Sequence, residues 1–233
     1  KIAKKIHLIS ALLGFALLLL VNLYNFILAI FIFIFWDVIY NDEKYCWKKH
    51  PLLGPFCNLI VGVLLMMSGW VFISSSNQYF YLSKAVIGVD FFIDISPYLF
   101  SYIAVVLLTD IPDIKGDLKH NKKTFVIKYS KTITILFSLM LVVLAFIMSL
   151  YLSDPLASIA TICSIPFFIY AVIRSEDKDI LRAIRYPIFI LNFFTVTIYP
   201  YLFIICGFIF YLSKYYYWHR FDLHYPTFLV SND

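Results

Sequence analysis

Long apolar stretches alternate with short polar and charged segments along most of the chain. The first stretch, residues 6–40, is too long for one bilayer-spanning helix at about 1.5 Å per residue, and the polar residues Asn22 and Asn25 divide it. The pattern therefore predicts an all-α, polytopic membrane helix bundle. Its seven predicted spans lie at residues 2–21, 25–41, 51–74, 90–109, 125–152, 155–173 and 186–214.

Composition supports the same class. Hydrophobic residues make up 62% of the 233 residues, and aromatic residues make up 20%. Such a chain is not a soluble globular domain, because it offers far more apolar surface than one domain core can bury. We expect membrane lipid as a partner and no nucleic acid. We find no internal repeat, and we treat residues 1–233 as one transmembrane domain.

Positive charge is distributed unequally between the two sides that seven spans would define. Sixteen of the 19 Lys and Arg residues fall on the side of the N-terminus, and the other side receives Lys84, Lys214 and Arg220. The positive-inside rule then places the polar loop after residue 109 in the cytoplasm and the C-terminus outside. We expect a multi-pass protein of a prokaryotic cytoplasmic membrane.

The most polar segment follows the predicted fourth span directly. Asp110, Asp113 and Asp117 are spaced by three and four residues, so a helix would carry them on one face. Carboxylates so gathered suit Mg²⁺ shared with a diphosphate. Ammonium groups that could hold the phosphate follow or intersperse them, at Lys115, Lys119, Lys122 and Lys123. The alternative reading is an ordinary solvated loop between two spans.

The order Asp-Ile-Pro-Asp-Ile-Lys-Gly-Asp at residues 110–117, followed by Lys-Thr at 123–124, resembles the second aspartate-rich motif of UbiA-type intramembrane prenyltransferases. It is most similar to the homogentisate and chlorophyll-type subgroup. The resemblance implies that Asp113 and Asp117 are the catalytic, Mg²⁺-binding pair, with Asp110 as a further metal ligand. Asn121 stands where the family usually has Gly, and Asn tolerates left-handed backbone better than most residues.

A second segment carries part of the same resemblance. The loop at residues 40–51 resembles the family's donor-binding loop through Tyr40, Lys48 and Lys49. Taken alone, it is typical of an interfacial anchor with snorkelling lysines. The resemblance implies that these three residues bind the substrate diphosphate together with Lys119 and Lys123, and that Asn58 is a possible further contact.

The resemblance also implies a nine-helix bundle. The seven predicted spans look like its helices 3 to 9, and no Asn-Asp-x-x-Asp pattern of the first aspartate-rich motif occurs in the sequence. The chain therefore reads as a fragment or a processed product. We interpret residues 174–185, of mixed charge, as a solvated cap over the mouth of the site.

The resemblance implies Mg²⁺-dependent transfer of a polyprenyl group from its diphosphate to an aromatic or other lipophilic acceptor, as in quinone and lipid biosynthesis. Three alternatives stay open. The chain could be a catalytically incomplete remnant, or it could transfer a phosphoribosyl group to a lipid phosphate. It could also be a transporter, which would need charged residues along its spans.

Overall fold

The computed structural model describes residues 2–76 and 88–221, and this part of the chain is helical with no strand. The all-α prediction is confirmed. A π-helical segment, Ile34–Asn41, continues directly from the second helix, and a 3₁₀ turn, Trp47–Lys49, precedes the third. The α-helices are α1 Ile2–Val21, α2 Leu23–Phe33, α3 Leu53–Ser76, α4 Val89–Thr109, α5 Ile114–Lys119, α6 Phe125–Tyr129, α7 Lys131–Tyr151, α8 Pro155–Arg174, α9 Asp177–Ile198 and α10 Leu202–Phe221.

Six helical stretches within the described residues are long and apolar enough to cross a membrane. They are Leu23–Asn41, Leu53–Ser74, Val89–Thr109, Lys131–Tyr151, Pro155–Arg174 and Asp177–Ile198, and α1 adds a shorter apolar stretch at His7–Leu20. Their outward faces are lined with large exposed hydrophobic side chains, which require a lipid environment. The chain is an integral, multi-pass membrane protein.

The tightest packing joins α4, α7, α8 and α9, while α1, α2 and α3 follow one another onto α4. Small residues let the backbones approach closely: Ala104, Ala171 and Ala183 are completely buried in the core, beside Leu108 and Phe168. Since lipid is as apolar as the core, such close van der Waals packing is what holds membrane helices together. This four-helix unit carries the C-terminal end of α4, where the aspartates begin.

The predicted break at Asn22 is a helix cap. The Asn22 side chain accepts hydrogen bonds from the backbone N–H groups of Tyr24 and Asn25 and so begins α2. The Asn25 side chain is buried and accepts a hydrogen bond of 3.1 Å from the Ser68 hydroxyl on α3. The polar break at Asn22 and Asn25 therefore marks both the start of α2 and a contact between α2 and α3.

Two predicted helix boundaries are wrong. The predicted span 125–152 is two helices, because Ser130 adopts φ 84° and interrupts the hydrogen-bond ladder between α6 and α7. The predicted span 186–214 is also divided: α9 ends at Ile198, a turn around Pro200 follows, and α10 begins at Leu202. Proline breaks a helix because it lacks the N–H donor and clashes with the preceding turn.

The predicted loop at 174–185 is mostly helix, since α9 begins at Asp177. Asp179 is buried and lies between two arginines, with Arg174 Nε at 3.1 Å and Arg182 Nη1 at 3.0 Å. Acidic residues in a first turn also favour the positive end of the helix dipole. Mixed charge here pairs internally and starts a helix.

One prediction lies outside the described residues, namely the position of Lys84 on the side opposite the N-terminus. The predicted side of the C-terminus depended on one unbroken span over residues 186–214. Because α9 and α10 are separate helices, counting spans no longer assigns Lys214 and Arg220 to a side.

Candidate active site

The aspartates lie where α4 ends and α5 begins, and a turn at residues 110–113 joins the two helices. The Ile111 N–H donates to the Leu108 carbonyl at 3.1 Å, and the Asp117 N–H donates to the Asp113 carbonyl at 2.9 Å. Asp110 therefore caps α4 and Asp113 caps the start of α5. The three carboxylates come from one helix end, one turn and one short helix, rather than from one continuous helical face.

The three carboxylates nevertheless interact. Burial, together with the negative charges of Asp117 and Asp113, raises the pKa of Asp110 to about 6. Asp117 is buried, with 5% of its surface exposed, whereas Asp113 is exposed. Repulsion among neighbouring carboxylates favours a cation between them.

One lysine already supplies positive charge. Lys122 Nζ lies 2.5 Å from Asp117 Oδ1, and the backbone N–H of Lys122 donates to the Asp117 carbonyl at 3.0 Å. The chain turns back toward Asp117 at Asn121, which has φ 52° and so adopts the left-handed backbone that Asn tolerates. The sequence predicted Lys122 as one of four lysines that could hold a phosphate, and not as the partner of Asp117.

The loop at residues 40–51 is held by its own polar contacts. The Asn41 amide donates to the Trp36 carbonyl at 2.9 Å, and Lys48 Nζ donates to the Asn41 side-chain oxygen at 3.1 Å. The rings of Trp36 and Tyr40 stack with their centroids 5.3 Å apart. The hydrogen bond between Lys48 and Asn41 therefore joins the 3₁₀ turn to the end of the π-helical segment, which also carries Tyr40.

A backbone hydrogen bond joins the two predicted segments directly: the Lys123 N–H donates to the Lys49 carbonyl at 2.9 Å. Tyr40 also lies within electrostatic reach of Asp110 and Lys122. Residues separated by about 70 positions in sequence therefore meet in one place. The sequence predicted that these two segments act together, and the structure brings them together.

A small polar cavity lies at this junction. Four of the predicted residues line it, namely Tyr40, Lys48, Asn58 and Asp110, together with His50, Gly54, Pro55, Val106 and Thr124. The Asn58 amide donates to the Gly54 carbonyl at 3.1 Å, which orients its side chain. Thr124 is buried, and its hydroxyl has no hydrogen-bond partner in the described residues. The sequence assigned no role to Thr124 or His50, although Thr124 belongs to the Lys-Thr pair of the motif.

The remaining predicted residues do not line this cavity. Lys49, Lys119 and Lys123 have exposed side chains, and Asp113 and Asp117 follow Asp110 by three and seven residues. The lysine side chain is long and flexible, so an exposed ammonium group can move to contact a bound phosphate.

The described residues contain no cluster of three or more His, Cys, Asp or Glu side chains arranged to hold a metal ion. Mg²⁺ is usually held by one or two carboxylates and completes its shell with substrate phosphates and water. The carboxylates of the 110–117 turn provide that chemistry, since they are close enough to repel one another. The donor set therefore fits Mg²⁺ bound jointly with a diphosphate, and not a metal cage made by protein alone.

An apolar chamber of about 460 Å³ lies beside the polar cavity, between α3, α4, α7, α8 and α9. Val106 lines both spaces, and Thr109 lines the chamber one residue before Asp110. Small side chains on α8, at Ala157 and Ala160, leave much of its room. Of the described residues that line the chamber, none is charged.

A polar cavity next to an apolar chamber is suited to a membrane protein that binds an amphiphile through both its polar and its apolar end. The chain belongs to the UbiA prenyltransferase family, whose sequence pattern it matches over residues 1–193. Membership implies a prenyltransferase that uses a prenyl diphosphate donor and a lipophilic acceptor within a membrane. No curated protein and no solved structure matches the chain.

Proposed function

We propose that this protein transfers a polyprenyl group from its diphosphate to an aromatic or other lipophilic acceptor, in a reaction that requires Mg²⁺. The observation that carries the proposal is the shared wall at Val106 between the polar cavity and the apolar chamber. A polyprenyl diphosphate has a charged head and an apolar tail. The apolar chamber suits the tail, and the polar cavity, of about 10 Å³, marks where the head would bind once the lining side chains move apart.

The head would be held from two sides. Asp113 and Asp117, with Asp110 beside them, would hold Mg²⁺, which neutralises charge on the departing diphosphate. Tyr40 and Lys48 face the head from the cavity wall. Exposed ammonium groups would close on the phosphate oxygens from the rim, namely Lys49, Lys119 and Lys123.

The tail would enter the chamber beyond Val106. Its apolar lining excludes water, so the allylic carbon meets the acceptor rather than a hydroxyl from solvent. As the carbon–oxygen bond breaks, the electron pair leaves with the diphosphate and positive charge develops on the allylic carbon. The acceptor then forms the new bond to that carbon and releases a proton.

The transporter alternative is the less favoured one. A transported ion would need charged groups along its path, and the described chamber lining offers none. The incomplete remnant and the phosphoribosyl transferase share this scaffold, so assay separates them from prenyl transfer. We also propose that the polar cavity faces the cytoplasm, and that the motif places the chain in the homogentisate and chlorophyll-type subgroup.

The test measures diphosphate release in membranes that carry the chain. Geranylgeranyl diphosphate is supplied with a panel of phenolic acceptors, with and without Mg²⁺, and a second preparation restores any upstream coding sequence. We expect Mg²⁺-dependent release, reduced on the order of 10²-fold or more by Asp117→Asn. Lys128→Gln is the control, because Lys128 lies in α6 with its ammonium over the Tyr129 ring.

The outcomes separate the alternatives. Activity only in the restored preparation identifies this chain as part of a working prenyltransferase. Transfer of a labelled phosphoribosyl group to a lipid phosphate, without prenyl transfer, favours the other transferase. Silence in both preparations, with no Mg²⁺-dependent donor binding, rejects the enzyme and favours the remnant.

A further inference from the structure

We infer that Lys122 is a built-in counter-ion, which occupies Asp117 until a diphosphate and Mg²⁺ arrive together and draw it away. The inference rests on the proposed function. It adds an order to that function: the metal binds well only after a phosphate has accepted the ammonium of Lys122.

The geometry fixes Lys122 at Asp117 by two contacts. Its ammonium nitrogen lies 2.5 Å from Asp117 Oδ1, and its backbone N–H donates to the Asp117 carbonyl at 3.0 Å. The Asp117 side chain is only 7% exposed, whereas the Lys122 side chain is 28% exposed. The carboxylate is therefore enclosed, and the lysine is the partner that can move.

The surroundings of Lys122 explain why it stays there. Asp113 and Asp117 both lie close enough to raise the pKa of Lys122, with the hydrogen bond to Asp117 as the main cause. Asp110 lies close enough for the lysine charge to lower its pKa. One ammonium thus faces three carboxylates, and without it the turn would hold three mutually repelling charges.

A divalent cation at Asp117 would compete with this ammonium. Such a cation would lie beside the Lys122 ammonium, and the repulsion between these two positive charges opposes the binding of Mg²⁺ alone. A diphosphate changes this balance, because its oxygens accept hydrogen bonds from the Lys122 ammonium when that ammonium leaves Asp117. No covalent bond changes in the exchange.

Lys122 is also well placed to reach such a phosphate. Tyr40, which lines the polar cavity, lies within electrostatic reach of it. The stem of the lysine is anchored by the backbone contact to Asp117, so the ammonium can turn without displacing the loop. Lys122 would then join Lys48 on the phosphate while the carboxylates hold the metal.

The first experiment measures binding of Mn²⁺, a spectroscopic substitute for Mg²⁺, to the full chain in detergent without any donor. We expect Lys122→Gln to lower the Kd of Mn²⁺ about tenfold, since one charged hydrogen bond no longer has to be broken. Lys128→Gln should leave the Kd unchanged, and Asp117→Asn should abolish the site.

The second experiment uses the wild-type chain, so it does not depend on a variant folding well. Lysines are acylated with a limiting reagent, and modification of Lys122 is quantified by mass spectrometry with Lys128 as an internal reference. A saturating concentration of Mn²⁺ without diphosphate displaces the ammonium from Asp117 with no phosphate to accept it, so it should raise the acylation rate of Lys122 severalfold, and inorganic diphosphate added with the metal should lower that rate again. Asp117→Asn should show the higher rate without either addition.

The results distinguish this inference from the proposed function. If Mn²⁺ binds at Asp117 but Lys122→Gln binds it no more tightly, and acylation of Lys122 does not change, the counter-ion role is wrong and the prenyl transfer proposal stands. If neither protein binds Mn²⁺, with or without inorganic diphosphate, both fail.

Discussion

The backbone N–H of Lys123 donates a hydrogen bond of 2.9 Å to the carbonyl of Lys49, and this contact joins the two loops from which the candidate site is built. Both side chains are exposed, so the contact between these residues acts through the main chain. The positions of the aspartate turn and of the Tyr40 loop are therefore coupled irrespective of what the two lysine side chains do.

This coupling gives a first prediction. Lys123→Pro removes the donor, and we expect it to lower the free energy of unfolding by about 1 kcal/mol and the unfolding midpoint by roughly 2–4 °C. It should also weaken binding of the prenyl diphosphate more than Lys123→Ala does, because the alanine variant keeps the backbone N–H. Thermal unfolding in detergent and a donor titration measure both. Equal effects of the two substitutions would show that the side chain alone matters.

The second prediction concerns Asp110 in the absence of Mg²⁺. Its pKa is about 6, above its ordinary value of 3.8, so the folded chain binds this proton more tightly than the unfolded chain. The free energy of unfolding should therefore fall as pH rises from about 4 to about 6, by about 1–3 kcal/mol, and remain lower above that range.

Asp110→Asn removes this penalty, because an amide carries no charge at any of these pH values. The variant should be more stable than the wild type at pH 7 and equal to it near pH 4, in buffers that contain a chelator. Glu43→Gln, in the exposed loop, is the control and should follow the wild type. A stability gain that persists at pH 4 would assign the effect to packing rather than to charge.

The third prediction tests the apolar chamber. Ala160 lines it and is 7% exposed, so Ala160→Phe would place a ring in the space we assign to the donor tail. We expect at least a tenfold weaker apparent affinity for a geranylgeranyl donor, with Mn²⁺ binding unchanged. Ile159→Phe puts the same ring on the neighbouring exposed position and should change neither. Loss of metal binding in Ala160→Phe would instead indicate a general disturbance of the bundle.

The fourth prediction concerns the turn that returns Lys122 to Asp117. Asn121 has φ 52°, a conformation that β-branched residues adopt at a cost of about 1–2 kcal/mol. Asn121→Val should therefore lower the unfolding midpoint and raise the acylation rate of Lys122, while Asn121→Gly should preserve the pairing. Thermal unfolding and mass spectrometry report the two effects separately. A valine variant that pairs Lys122 normally would show that the turn does not depend on this backbone conformation.

Hydropathy predicted the helical class and most of the spans, because a helix of about 20 consecutive apolar residues matches the thickness of the bilayer core. It missed breaks caused by single residues. Ser130 adopts φ 84° between two apolar helices, and a serine in the sequence does not predict this backbone conformation. Pro200 did carry a signal, since proline disfavours helix in the residue before it, but the apolar residues around it outweighed that signal.

The candidate site was predictable to a similar degree. The spacing of the aspartates and the resemblance of two loops identified segments that the structure joins through Lys123 and Lys49. The partner of Asp117 was not predictable, because four lysines of the loop are alike in sequence and only the turn at Asn121 selects Lys122. Backbone conformation, rather than residue type, makes that selection.

Val106 lines both spaces, and the polarity of the lining changes there. The polar cavity is lined by a carboxylate and an ammonium, and the described lining of the chamber carries no charge. The strength of any electric interaction therefore changes across the width of one side chain, because the effective dielectric falls where polar groups and water are absent. If the bond that breaks lies across this boundary, the departing anion lies among counter-ions in the polar region. The positively charged carbon then lies in the apolar region, where water is scarce. Substituting a smaller or polar residue at position 106 would blur that boundary without touching a single charged group.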